Sequence, residues 1–162
     1  MKTLALSPQE QKGFTLIEAM VVVVLLAILA ALAMPSFTTM IANQRVNSAT
    51  QELLTLLQFA RAEGVYKRTE SAVTVTGQKW EAKVGNKVLR EAALSDVVSV
   101  AASSSGGVIF EVSGQARPAS GGANTYTVSV SAANASRVQC VGVTRAGLVR
   151  QLPSVAAGQS CS

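Results

Sequence analysis

The sequence predicts an α+β protein. One long N-terminal helix, membrane-spanning in its first half and amphipathic in its second, packs on a C-terminal antiparallel β domain of two small sheets. Three observations lead there. The stretch from Phe14 to Met34 holds only Thr15 and Glu18 as polar residues. The stretch after it repeats its apolar residues every three or four positions. From Ser71 onward the repeat drops to two, with turn residues between short runs. A helical period followed by a strand period, segregated along the chain, is the pattern of an α+β fold.

The first element is the apolar run. A bilayer takes about 20 helical residues at roughly 1.5 Å each, and Phe14 to Met34 is long enough. A short polar leader with Lys2 and Lys12 precedes it. The leader lacks the separate apolar core of a secretory signal peptide, so the apolar run is expected to be retained. Glu18 lies inside that run. An ionised carboxylate in hydrocarbon costs about 3 kcal/mol on insertion scales, so its presence there points to a function.

The helix continues past Pro35, where a proline removes one backbone bond and predicts a bend or local melting. Beyond it Ala42, Val46, Ala49, Leu53, Leu56 and Ala60 share one face, with Leu57 and Phe59 nearby. Asn43, Gln44, Arg45, Asn47, Gln51 and Glu52 supply the polar face. That is a helix laying one side on a core. Gly64 reads as its C-terminal stop.

The strands follow. Val73 and Val75 alternate with Ala72, Thr74 and Thr76, and Trp80, Ala82 and Val84 alternate with Lys79, Glu81 and Lys83. Gly85-Asn86 is a two-residue hairpin turn into Lys87-Val88-Leu89-Arg90. Further strands are expected at residues 96–101, 108–113, 124–131, 137–144 and 148–152. The Ser/Gly-rich stretches 103–107 and 119–122 read as flexible connections. Trp80, Tyr66 and Tyr126 are either partner contacts or core packing, and core packing is the commoner fate of such rings.

Composition narrows the function. The chain has 162 residues, enough for one globular domain beyond the apolar run, and carries a net charge of +5. It has no His, which removes the commonest general base and metal ligand. There is no phosphate-binding loop and no metal-ligand spacing, so neither an enzyme nor a cofactor nor a metal is expected. The two cysteines, Cys140 and Cys161, form an even pair that in an exported protein reads as one disulfide.

Gly13-Phe14-Thr15-Leu16-Ile17-Glu18 resembles the processing motif of bacterial type IV pilins and type II secretion pseudopilins. Leu54-Thr55-Leu56-Leu57-Gln58-Phe59-Ala60-Arg61-Ala62-Glu63 is similar to the helix end of GspH/FimT-type minor pilins. Val108-Ile109-Phe110 leading to Gly114 and Pro118, and the segment from Cys140 to Arg150, resemble that group too. The resemblance implies that a prepilin peptidase cuts between Gly13 and Phe14 and methylates the Phe14 amine. It implies a leader over residues 1–13, a transmembrane and assembly half of the helix over 14–35, an amphipathic half over 36–64 and a periplasmic β-rich domain over 65–162. The protein would sit in the inner membrane with its C-terminal domain in the periplasm, then join a pilus or pseudopilus. Its partners would be the peptidase, the inner membrane and other pilin or pseudopilin subunits, with a place at or near the filament tip.

The resemblance implies that Glu18 would pair with the Phe14 ammonium of a neighbouring subunit, which would offset the desolvation of both charges. The alternative is a pair with its own N-terminus. The resemblance implies that Pro35 marks where the helix can unwind during assembly, and the alternative is a purely structural kink. A second function class is DNA uptake. From Val112 onward the chain holds Arg117, Arg137, Arg145 and Arg150 and no Asp or Glu. Arg145-Ala146-Gly147-Leu148-Val149-Arg150 resembles a degenerate Gly-Arg-X-Arg motif with which competence-associated members touch DNA. Gly147 and Arg150 match, Leu148 replaces the first arginine, and Arg145 stands on the other side of the turn. Gly114-Gln115-Ala116-Arg117 is a second near-match. The plainer reading of these arginines is a soluble basic face.

Overall fold

The computed structural model describes residues 13–122 and 125–161. The leader expected over residues 1–13, Gly13 apart, lies outside the described residues. So does Asn124, the expected first residue of a strand. The chain forms two compact units, Met1–Phe37 and Thr38–Ser162. Helix α1 (Leu16–Lys67) supplies the helical residues of both.

In the first unit, residues 16–34 are all exposed. By length and composition this part of α1 can cross a membrane. Its bare apolar surface is what a helix shows when lipid or other helices are its intended surroundings. The helix continues through Pro35, so the melted turn expected there does not form in the isolated chain.

In the second unit the periodic residues take their predicted places. Ala42, Val46, Ala49, Leu53, Leu56 and Ala60 are all buried, and Leu57 joins them. Each buried leucine contributes roughly 1.5–3 kcal/mol. Thr50 falls on the same face, and its hydroxyl is satisfied by donating to the Val46 carbonyl at 2.7 Å.

The helix does not stop at Gly64. It runs to Lys67 and ends on Arg68, which adopts φ 51°. The Thr69 N–H reaches the Gly64 carbonyl at 3.1 Å and the Arg68 N–H reaches that of Val65 at 3.3 Å. Those two bonds make a Schellman cap with arginine in the left-handed position. Gly64 has another task. The Ser71 hydroxyl donates to the Ala60 carbonyl at 2.6 Å, and a Cβ on Gly64 would come within 2.8 Å of that hydroxyl. The glycine lets the first strand approach the helix.

The strands are β1 (Ser71–Thr76), β2 (Lys79–Val84), β3 (Lys87–Glu91), β4 (Val98–Ala102), β5 (Val108–Phe110), β6 (Ala116–Pro118), β7 (Thr125–Ala132), β8 (Arg137–Thr144) and β9 (Val149–Ala156). They form two antiparallel sheets, ordered β3-β2-β1-β5-β6 and β4-β7-β8-β9. The β2–β3 turn is Gly85-Asn86, with Gly85 at φ 57°. Val46, Leu53, Leu56 and Leu57 of the helix meet Val73, Trp80 and Phe110 of the first sheet and Val100, Tyr126, Val128 and Val141 of the second in one core. Trp80 and Tyr126 are therefore packing residues, while Tyr66 is exposed.

Three strand expectations are corrected. β5 ends at Phe110, because residues 111–115 turn back. β6, not among the expected strands, is an edge strand that ends on Pro118, where a proline costs no ladder bond. β9 passes through Pro153 to Ala156, because Pro153 and Ser154 lie where the pairing shifts between Val138 and Cys140. The two Ser/Gly-rich connections are pinned rather than loose. The Ala119 N–H donates to the Gly107 carbonyl at 2.9 Å, and Ser103 exchanges bonds with Thr127. A Cβ on Gly107 would lie 1.8 Å from the Val73 carbonyl oxygen, so only glycine fits there.

Candidate functional site

The first candidate region is the start of α1. Gly13, Phe14 and Thr15 are not helical, so the Gly13–Phe14 bond lies outside the helix and is exposed. Thr15 is the residue that sets this boundary. Its hydroxyl accepts the Glu18 backbone N–H at 3.2 Å, and its carbonyl accepts the Ala19 N–H at 3.1 Å. Thr15 is an N-cap, and Thr-x-x-Glu is the sequence of a capping box. The four residues Thr15 to Glu18 carry that signal in the sequence itself. Glu18 falls in the first turn, where the helix dipole favours a negative charge.

The second region is built from two turns that the sequence singled out separately. The β5–β6 turn carries Gly114 and Gln115, and the β8–β9 turn carries Arg145, Gly147 and Leu148. The Ala116 N–H donates to the Arg145 carbonyl at 2.9 Å. Arg61 of the helix donates through Nε to the Gly114 carbonyl at 3.1 Å. Gly147 has φ 76°, and a Cβ there would sit 1.8 Å from the Gly114 oxygen. Glycine is thus required at Gly147 both for the backbone angle and for the contact between the turns. The near-match residues come together, although they are distant in sequence.

The arginines are not equivalent. Arg117 lies between two carboxylates, 3.4 Å from Glu70 and 3.6 Å from Glu111. Arg145 and Arg150 are exposed, and among the described residues their side chains have no ion pair or hydrogen bond. Arg137 starts β8, at the other end of that strand from the turn, and donates to the Ser154 hydroxyl at 3.3 Å. The structure therefore brings Arg117, Arg145 and Gly147 into one neighbourhood, with Arg150 on the adjoining strand, and leaves Arg137 apart. A cavity of about 350 Å³ beside the turns is lined by Glu111, Gln115, Arg117 and Arg145 among others.

An adjoining groove of about 660 Å³ was not anticipated. Its walls are Gln58, Arg61, Ala62, Val65 and Tyr66 of the helix and Leu148 and Val149 of the hairpin. Positions 58, 61, 62, 65 and 66 form one helical stripe, which only the fold shows to be uncovered.

Cys140 and Cys161 are joined by a disulfide with a Cα–Cα distance of 5.7 Å. The Cys161 N–H donates to the Ser129 hydroxyl at 3.1 Å, and the Thr127 hydroxyl donates to the Cys161 carbonyl at 3.4 Å. The final segment is thereby held against β7 and β8.

Comparison with known proteins bears on both regions. Residues 9–34 match the family model for the prokaryotic N-terminal methylation motif, and residues 49–147 match that for type II transport protein GspH. The chain is 32% identical over 125 residues to fimbrial protein EcpC of Eikenella corrodens, spanning 75% of this chain and 81% of that protein. Its fold is similar to the crystal structure of the type IV minor pilin FimU of Pseudomonas aeruginosa, with a TM-score of 0.58 at 18% identity, over 68% of this chain and 90% of FimU. It is similar also to the minor pseudopilin EpsH from the type 2 secretion system of Vibrio cholerae, with a TM-score of 0.53 at 11% identity, over 71% of this chain and 99% of EpsH.

Proposed function

This chain belongs to the GspH-type family of minor pilins and pseudopilins, and from that premise we propose that it is a processed filament subunit placed at or near a tip. The observation that carries this reading is the start of α1. A scissile-type Gly13–Phe14 bond stands exposed outside a capped helix, followed by a bare apolar surface whose one carboxylate is Glu18. In this reading a prepilin peptidase cuts there and methylates Phe14. Residues 14–35 hold the subunit in the inner membrane before assembly, the amphipathic half of the helix runs from residue 36 to its end at Lys67, and the β-rich periplasmic domain follows. Glu18 then meets the Phe14 amine of a neighbour, and Pro35 is the point where α1 loosens in the filament. The role is structural, with no catalysis. N-terminal mass analysis of the membrane-associated protein tests it. A chain beginning at methylated Phe14 is expected, and an intact Met1 in cells with an active peptidase would sink the assignment.

A second reading, DNA contact during uptake, draws its support from Arg145 and Arg150, exposed and without partners among the described residues. Arginine suits phosphate because its planar fork donates two bonds at once. The ion pairs of Arg117 and the distance of Arg137 leave few contacts, so affinity would be about 10⁻⁴ M and steeply salt-dependent. Titration with a short duplex at low salt tests this reading. Binding lost in the Arg145→Gln/Arg150→Gln variant and kept in Arg137→Gln would support it. Equal binding by the double variant would end it.

A further inference from the structure

We infer that the groove between the last two turns of α1 and the β8–β9 turn is the seat of an adjacent filament subunit, which enters it with an apolar side chain carried on an acidic segment. The inference rests on the assembly role proposed above and names the surface and the chemistry of its partner.

The groove is open, apolar and rigidly framed. Val65, Tyr66 and Leu148 around it are 47%, 84% and 52% exposed, a cluster of large apolar side chains that a lone soluble domain has reason to cover. The walls do not depend on an occupant. Arg61 ties the helix to the Gly114 carbonyl, and the Schellman cap fixes the helix end. Leu148 is held at both backbone groups. Its carbonyl accepts the Thr144 N–H at 3.1 Å, and its own N–H donates to the Thr144 hydroxyl at 3.2 Å. A preformed groove receives a partner without the entropy cost of ordering its walls.

Charge selects the partner. The turn that carries Leu148 also carries Arg145, and Arg150 follows as the second residue of β9; both are exposed and neither is in an ion pair among the described residues. The nearby helical carboxylate, Glu63, is engaged by Lys67 at 2.6 Å. Glu111, which lines the adjoining cavity with Arg145, is engaged by Arg117 at 3.6 Å, and no Asp or Glu occurs from Val112 onward. An apolar groove next to the unpaired Arg145, which lines the adjoining cavity, fits an apolar anchor followed by carboxylates, an apolar centre with charge at its edge being the usual layout of a protein interface. A phosphate backbone fits less well. Leu148 and Val65 offer it no donor, and they occupy the centre.

Photo-crosslinking of the full chain in filament-forming cells tests this. The probe is p-benzoylphenylalanine, placed at position 148 or 66, with position 88 as a control because Val88 is also exposed but lies on β3. The expected product joins positions 148 and 66 to another pilin-fold subunit, at a peptide with Asp or Glu within four residues of the linked side chain. Arg145→Glu/Arg150→Glu should reduce that product about tenfold, since like charges set face to face cost more than the 1.4 kcal/mol that a factor of ten requires. An adduct to DNA, to lipid or to a second copy of this chain would overturn the inference. So would a product indifferent to charge reversal, or no product at positions 148 and 66 in filaments that contain the chain. Failure of the chain to enter filaments at all would instead remove the assembly role, and the docking surface with it.

Discussion

Asn43 and Ser136 hold each other across 93 residues of chain. The Ser136 backbone N–H donates to the Asn43 Oδ1 at 3.0 Å, and the Asn43 amide donates to the Ser136 hydroxyl at 3.1 Å. The pair clamps the helix to the β7–β8 turn, where Asn134 adopts φ 65°. Asn43→Ala is expected to cost about 1 kcal/mol, because one side chain serves both a backbone and a hydroxyl partner. Asn43→Asp keeps the acceptor for the Ser136 N–H and should lose less. Denaturant midpoints of the two variants in detergent solution check this.

The backbone contact of Glu18 and its side-chain charge can be separated by substitution. Its bond to Thr15 is made by the backbone, so Glu18→Gln leaves the cap in place and removes only the charge. Under the pairing proposed here, Glu18→Gln should be cleaved normally yet enter filaments poorly. Thr15→Val keeps the charge and weakens the helix start by about 1 kcal/mol. Quantifying processed and filament-borne protein for each variant tells the two roles apart. Normal incorporation of Glu18→Gln would refute the charge pairing.

Arg68 closes the helix in a conformation that glycine adopts without strain. Arg68→Gly should therefore stabilise the domain by about 0.5–1 kcal/mol, against the usual direction of a substitution to glycine. A rise in thermal midpoint reads it out. A fall would show that the arginine side chain contributes more than its backbone costs.

Tyr126 is fully buried, and its hydroxyl has no hydrogen-bond partner among the described residues. Burial pushes its phenol well above the ordinary tyrosine value of 10.0. The sign of the linkage follows. An unfolded chain releases this proton at about pH 10, while the folded chain keeps it, so the contribution is complete below about pH 10 and is lost as pH rises beyond. Tyr126→Phe should flatten the alkaline decline of stability relative to the parent. At neutral pH it should gain about 1 kcal/mol by removing an unsatisfied polar group. Stability measured from pH 7 to pH 11 in both proteins decides.

Much of the fold was legible because its signals are local and periodic. The helix stripe from Ala42 to Ala60 and the alternation around Val73 and Trp80 each state which side faces the core. What was misread turned on approach between distant segments. Gly64 looks like a stop, but its lack of a side chain serves the Ser71 hydroxyl, eleven residues from the Ala60 carbonyl it reaches. Pro118 gives no strand signal of its own, and only its place on the sheet edge makes it strand. The candidate site divides the same way. Thr15-Leu16-Ile17-Glu18 announces a helix start within four residues. That Gly114 and Gly147 touch, and that Leu148 faces Tyr66 across a groove, depends on two hairpins from different sheets meeting one helix end. No local pattern encodes that meeting.

The bond between Cys140 and Cys161 also limits how far the chain can be drawn out. A subunit in a filament under tension is pulled through its helix, and a domain that yields pays out slack. The link spans a sequence separation of 21 residues. At about 3.4 Å per extended residue it withholds roughly 70 Å of that slack. β9 lies inside the closed loop, so a pull arriving from the N-terminal side can unravel the chain as far as Cys140 and no farther. The domain is in effect fitted with a mechanical stop.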